Sequence, residues 1–209
     1  MKKFFFLISM CVCSNASIGQ NVNHQQLVRI SDAELIYFYG YDISKSKVTD
    51  PKRGGQPLAH YMHELVAEMT TYLSKKRLLK WFGFKDIGFK LNGTHDSNIS
   101  VKSDELFYPE YMPDKSLTQD SIEQMIFRYK IEEKSGIGLV IIYEYFSRKR
   151  KSVSGYMCFF DIETREILVL LEDESKDGNS YRSFRDYWNP AARLVIGFTK
   201  TYGKMIEEK

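Results

Sequence analysis

The stretch from Gly136 to Glu174 decides the predicted fold: GIGLVIIYEYFSRKRKSVSGYMCFFDIETREILVLLEDE. It contains three runs rich in β-branched and aromatic residues, a composition typical of strands. These runs cover residues 139–146, 153–160 and 167–171. A charged segment, Ser147–Ser152, separates the first two, and Asp161–Arg165 separates the last two with side chains suited to a turn. We therefore predict three consecutive antiparallel strands.

Both faces of these strands are apolar. Side chains alternate between the two faces of a strand, so Cys158 and Phe160 point one way while Met157 and Phe159 point the other. A strand that is apolar on both faces lies inside a sheet that other elements cover. The chain is therefore expected to contain amphipathic helices.

Three such helices are predicted. The first begins at Leu58, has apolar residues at a spacing of three and four, and carries Lys75–Arg77 in its last turn. The second follows Ser116, which with Gln119 resembles a capping box. Its predicted apolar face consists of Ile122, Met125, Ile126 and Tyr129. The third begins at Asn189-Pro190, an N-cap followed by a proline suited to the first helical position.

The remaining segments complete the predicted sheet. Glu34–Tyr41 is predicted to be a first strand, and the polar segment Asn21–Ile30 a loose terminus. Residues 87–91 and 98–102 are predicted to pair as a hairpin around Asn92-Gly93. The resulting prediction is an α/β fold of the α+β sandwich type, with a mixed, mostly antiparallel sheet packed against about three helices.

The amino terminus has the pattern of a secretory signal. Lys2 and Lys3 precede an apolar run that is too short to span a bilayer, and Ser17 and Gly19 are small residues suited to a signal peptidase. We expect cleavage before Gln20, which leaves residues 20–209 as a single domain exported to the periplasm or the cell exterior. Lipidation of a cysteine in residues 1–19 is the alternative. No other segment is a transmembrane candidate.

Composition restricts the function classes. The chain is 43% hydrophobic and 14% aromatic, as folded domains are. Loss of residues 1–19 removes two lysines and lowers the formal charge from +3 to +1, so no broad attraction to nucleic acid is expected. Cys158 is then the one remaining cysteine, which rules out an intrachain disulfide; its strand position indicates a small buried hydrophobe.

Two sets of residues are candidates for a site. His60 and His63, followed by Glu64, lie one helical turn apart and would share a metal if a further ligand came from His95 or Asp96. A second set combines acidic, basic and aromatic side chains that would line a ligand pocket if the fold brought them together. Its members are Asp42, Arg53, Arg182, Arg185 and Trp188.

Four short motifs resemble those of a group of short secreted bacterial proteins with no assigned activity. In this chain the motifs are Gly136-Ile-Gly138, Phe160–Arg165, Asp186-Tyr-Trp188 and Tyr41–Ser44. The chain departs from the group at Ser183–Asp186, where the group has glycine, arginine and asparagine. The resemblance implies an exported domain and implies no chemistry.

Two functions are consistent with these observations. The first is a non-catalytic exported domain that binds an envelope protein or a small ligand, because no nucleophile, phosphate-loop or dinucleotide motif is present. The alternative is a metal-assisted hydrolase that uses His60, His63 and Glu64. No cofactor is predicted for the first, and the sequence leaves the oligomeric state open.

Overall fold

The structure, a computed structural model, describes residues 23–49, 58–108, 117–147, 149–176 and 188–207. Within these ranges the chain forms seven helices and one seven-stranded sheet. The helices are α1 (His24–Asp32), α2 (Leu58–Tyr72), α3 (Lys75–Phe82), α4 (Asn92–Ile99), α5 (Ser103–Leu106), α6 (Gln119–Arg128) and α7 (Trp188–Glu207). The strands are β1 (Ile36–Asp42), β2 (Lys47–Thr49), β3 (Ile87–Phe89), β4 (Phe107–Tyr108), β5 (Ile137–Ser147), β6 (Ser152–Asp161) and β7 (Ile167–Lys176).

The strand directions correct the predicted mostly antiparallel sheet. The sheet is curled, and its first five strands run parallel in the order β3-β1-β5-β2-β4. The predicted meander is confirmed, since β5, β6 and β7 pair antiparallel in sequence. The prediction was wrong because β5 also pairs in parallel with β1 and β2 along its other edge. Helical connections between the parallel strands place the fold in the α/β class.

The hairpin predicted around Asn92-Gly93 is also wrong. β3 ends at Phe89 and pairs in parallel with β1, and the chain then enters α4. The side chains of Thr94 and Asn98 in α4 bond to the backbone of β1. These long-range bonds require a helix at this position, and they outweigh the local preference of Asn-Gly for a turn.

The sheet is buried on both faces, as predicted. Phe159 belongs to a core formed with α1, α2, α3 and α7, whereas Phe160 belongs to a second core formed with α6. Both rings are 0% exposed. In the first core the Phe159 ring lies 5.3 Å from Tyr202 and 5.9 Å from Phe84, measured between ring centroids. Two aromatic layers on opposite faces therefore hold β6 at the centre of the molecule.

Several helix boundaries differ from the prediction. The segment Asn21–Ile30 was expected to be loose, but its residues from His24 onward belong to α1, whose Leu27 and Ile30 are buried. The first predicted helix ends at Tyr72, and Lys75–Arg77 begins α3 rather than closing α2, because Ser74 is extended and serves as an N-cap. The capping box before α6 is formed by Thr118 and Ser121. The buried face of α6 is as predicted.

The turn between β6 and β7 is built by its own side chains, as predicted. Asp161 Oδ1 accepts hydrogen bonds from the backbone N–H groups of Glu163 and Thr164, each at 2.9 Å. Asp161 also forms an ion pair with Arg29 of α1. Burial raises the pKa of Asp161, but these hydrogen bonds and the ion pair lower it by more. The pKa of Asp161 therefore lies below its usual value. Phe160–Arg165 therefore has a structural role, which is to join the meander to α1.

Candidate functional site

The candidate site lies where the edge of β5 is interrupted. β6 pairs along one edge of β5, so β1 and β2 share the other edge and lie end to end. Asp42, the last residue of β1, pairs with Ile142, and Lys47, the first residue of β2, pairs with Tyr145. The four residues 43–46 that connect β1 to β2 therefore lie opposite only two residues of β5, 143 and 144. Ser46 stabilises this connection, because its hydroxyl donates a hydrogen bond to the backbone oxygen of Tyr143 at 2.6 Å. Residues 43–46 thus form a short loop within the sheet edge, and loops held on a rigid scaffold often carry functional side chains.

Helix α4 replaces a strand neighbour at this point. The Asn98 side chain donates to the backbone oxygen of Tyr41 at 2.6 Å and accepts from the backbone N–H of Ile43 at 2.9 Å. Thr94 donates to the backbone oxygen of Tyr39 at 2.9 Å. The backbone on both sides of Asp42 is therefore held by one buried amide side chain. This rigid support fixes the direction of the Asp42 carboxyl group.

Asp42 itself is fully buried and bonded to neutral donors. The Tyr129 hydroxyl donates to Oδ2 at 2.6 Å, and the backbone N–H of Ser44 donates to Oδ1 at 2.7 Å. Burial raises the pKa of Asp42, although these hydrogen bonds and the charge of Lys45 oppose the rise. Burial, reinforced by the nearby Asp42 carboxylate, also raises the pKa of Tyr129.

A cleft of about 200 Å³ opens above Asp42 and Tyr129. Its walls combine hydroxyl groups, two cations and one further carboxylate with a small apolar surface. Besides Asp42 and Tyr129, the lining residues are Ser44, Lys45, Ser97, Ser100, Val101, Glu105, Met125 and Arg128. Lys45, Glu105 and Arg128 are exposed, so the charges lie at the mouth while the floor is neutral or acidic. The arrangement suits a small polar molecule.

Glu144, which was not among the predicted site residues, is a second buried carboxyl group and lies at a bulge between β5 and β6. It is 2% exposed and is the residue of β5 left without a partner in β6. Its carboxylate accepts hydrogen bonds from the Ser154 hydroxyl, the Tyr156 hydroxyl and the backbone N–H of Leu117. The available signal was a single carboxylate within the apolar run IIYEYF, since a buried charge requires bonding partners.

The predicted metal ligands are directed to different partners. His63 Nε2 lies 2.8 Å from the backbone oxygen of Asn98. A carbonyl oxygen only accepts, so this nitrogen carries the proton. His60 pairs with Glu64 at 3.4 Å, and Asp96 forms an ion pair with Lys130. Across the described ranges, no group of three or more histidine, cysteine or acidic residues is arranged to hold a metal.

The predicted ligand set is only partly described. Asp42 lines the cleft. Arg53, Arg182 and Arg185 lie outside the described residues, and for Trp188 only its place at the start of α7 is described. Whether these residues meet Asp42 thus remains a prediction. The partners of the Asp42 carboxyl group that the structure does show, Tyr129 and Ser44, were absent from the predicted set, as was Asn98, which holds the adjoining backbone.

Comparison of the chain with protein-family models, curated proteins and solved structures finds no match. Among the helices that the structure describes, none has both the length and the apolar character needed to cross a bilayer. The geometry of the Asp42 cleft is therefore the basis for a functional proposal.

Proposed function

We propose that this chain is an exported, non-catalytic domain that binds a small polar molecule in the Asp42 cleft. One observation carries the proposal: the cleft is preformed. Its floor residue, Asp42, is held by Tyr129 and Ser44, and its adjoining backbone by Asn98. A site that is already ordered loses little conformational entropy on binding, which favours affinity.

The lining supports binding rather than catalysis. It includes three serines, yet no histidine or cysteine is among the lining residues, so no serine there has an adjacent imidazole base. The Asp42 carboxyl group has both oxygens engaged by Tyr129 and Ser44. A volume near 200 Å³ is also below the roughly 300–1,000 Å³ of sites for drug-sized molecules, which favours a small metabolite or ion.

Export is supported by the sequence alone. The charged and then apolar start of residues 1–19 has the order of a secretory signal, and the resemblance to short secreted bacterial proteins agrees with it. Expression of the full chain in a bacterial host, followed by amino-terminal sequencing of the mature product, tests this part. A product that begins at Gln20 outside the cytoplasm is expected. Retention of Lys2 and Lys3 on a cytoplasmic product would contradict it.

A ligand screen tests the binding function. Small polar metabolites are added to the mature protein, and amide chemical shifts are recorded by NMR. Compounds that bind are expected to change the amide chemical shifts of Ser44 and Ser100. The substitutions Lys45→Gln and Arg128→Gln should weaken the binding of these compounds. Lys200→Gln is the matched control, because Lys200 is an exposed lysine of α7 that does not line the cleft. Equal binding by all three variants would contradict the assignment of the cleft.

The metal-assisted hydrolase has no corresponding geometric support in the described residues, because His60 and His63 have separate partners. Metal analysis of the purified mature protein and melting in the presence of a chelator test it directly. Stoichiometric zinc, or a fall in Tm on chelation, would favour the hydrolase over the binding domain.

A further inference from the structure

We propose that the Asp42 cleft binds a small oxyanion and that Asp42 takes up a proton when the anion binds. This inference rests on the proposed function, because it specifies the ligand of the same cleft. It has three parts, which are the cations at the mouth, the buried acid at the floor and the hydroxyl group between them.

The mouth of the cleft favours an anion. Lys45 and Arg128 both line it and are exposed, and the described part of the chain gives neither an ion-pair partner. Ser97 of α4 lies on the same lining, as does Ser100, the C-cap of α4, whose hydroxyl donates to the backbone oxygen of Ser97 at 2.8 Å. Two cations and nearby hydroxyl donors are the groups that recognise carboxylate, sulfate or phosphate oxygens.

The floor opposes an anion only while Asp42 is ionised. Asp42 is 0% exposed, and its contacts are with the neutral donors Tyr129 and Ser44. A carboxylate in this position would repel an oxyanion bound in the cleft, and the burial of Asp42 leaves that repulsion weakly screened. Protonation removes the repulsion. Burial already raises the pKa of Asp42, so the proton is taken up at a higher pH than an ordinary aspartic acid requires.

Tyr129 links the proton to the ligand. The hydroxyl of Tyr129 donates to Asp42 Oδ2 at 2.6 Å, and both residues line the cleft. A protonated Asp42 has an O–H group of its own, which can donate to the Tyr129 oxygen in the reverse direction. The Tyr129 O–H is then released to donate to an oxyanion. The cleft therefore gains a donor at the same time as it loses a negative charge.

Other charged groups facing Asp42 fit this scheme. They are Lys45 from the turn after β1, Glu105 from α5 and Arg128 from α6, whereas α4 contributes only serines to the lining. Glu105 is the remaining acidic group. Lys47 donates to its backbone oxygen at 2.6 Å, which keeps a third cation close to it. With Asp42 protonated, the cleft has a net positive charge.

Sulfate is the probe, because its charge stays constant between about pH 5 and pH 8. Its affinity is measured by NMR titration of the mature protein at both values, and proton uptake by calorimetry in two buffers of different ionisation enthalpy. Binding is expected to be tighter at the lower pH, by about tenfold for each unit by which sulfate raises the pKa of Asp42. Asp42→Asn should bind sulfate with an affinity that does not change with pH and is at least that of wild type at pH 5, without proton uptake.

Five results would overturn the inference or one of its parts. Equal sulfate affinity at both pH values removes the proton coupling. If the sulfate affinity of Glu105→Gln no longer depends on pH while that of Asp42→Asn still does, Glu105 rather than Asp42 takes up the proton. Full low-pH tightening in Tyr129→Phe removes the role of the hydroxyl. Cleft amides that respond to neutral metabolites but never to sulfate would reject the oxyanion while leaving the binding function intact, and no response to any ligand would reject both.

Discussion

Replacement of Asn98 by alanine tests the support of the candidate site most directly. The Asn98 side chain is 5% exposed and makes two hydrogen bonds to the backbone around Asp42. Alanine leaves the Tyr41 carbonyl and the Ile43 N–H without these partners in a buried position. Each unsatisfied buried group costs about 1–3 kcal/mol, so we expect the free energy of unfolding to fall by about 2–6 kcal/mol. That is a large fraction of the roughly 5–15 kcal/mol that stabilises a typical domain.

Urea denaturation measures this loss, and Asn92→Ala is the matched control. Asn92 is also in α4 but is exposed, so its replacement is expected to change stability by less than about 0.5 kcal/mol. Hydrogen exchange adds a local reading. The Ile43 amide should exchange faster in Asn98→Ala under native conditions, whereas amides of β6 should follow the global stability.

The isosteric variant Asn98→Asp separates the bonds from simple packing. An ionised aspartate still accepts from the Ile43 N–H but repels the Tyr41 carbonyl, while a protonated aspartic acid can donate to that carbonyl. Its stability deficit should therefore shrink as the pH falls. If Asn98→Ala and Asn92→Ala are equally stable, or if Asn98→Asp shows no pH dependence relative to wild type, the reasoning about this edge is refuted.

Three further predictions concern packing, charge and reactivity. Gly138→Ala should destabilise the protein by about 1–3 kcal/mol, because the new Cβ would overlap the ring of Phe160. Gly203→Ala should instead stabilise α7 by about 0.5–1 kcal/mol, because outside the helix backbone and the adjacent residues no atom lies within 4 Å of the new methyl group. Urea denaturation of both variants checks this, and equal effects would contradict it. The folded-state pKa of Asp42 is raised, so the stability that it contributes at low pH is lost as the pH rises through that pKa. Relative to wild type, Asp42→Asn should therefore gain stability as the pH rises above about 4, the ordinary pKa of an aspartic acid, and a constant difference in unfolding free energy would argue against it. Cys158 is 0% exposed, and burial raises the pKa of its thiol, so it should react with a disulfide reagent only after unfolding; rapid labelling of the native protein would contradict this.

Features set by neighbouring residues were accessible from the sequence. The strands β5, β6 and β7, the Asp161 turn and the buried face of α6 follow from local periodicity and turn chemistry. Burial of both Phe159 and Phe160 also followed, because an unbroken apolar run requires cover on both faces of the sheet.

The parallel half of the sheet and most of the site depend on distant residues. Asn98 bonds to the backbone of Tyr41 across 57 positions, and Tyr129 bonds to Asp42 across 87. Such contacts decide that Asn92-Gly93 opens a helix rather than a hairpin turn. Short strands such as β2 and β4 carry too few residues for a periodic signal, and their direction is set by their neighbours, because β2 joins the edge of β5 and β4 joins β2. Local pattern thus established which segments are strands and which faces are apolar, whereas the pairing directions and the cleft required the tertiary structure, because both arise from hydrogen bonds between segments that are remote in the chain.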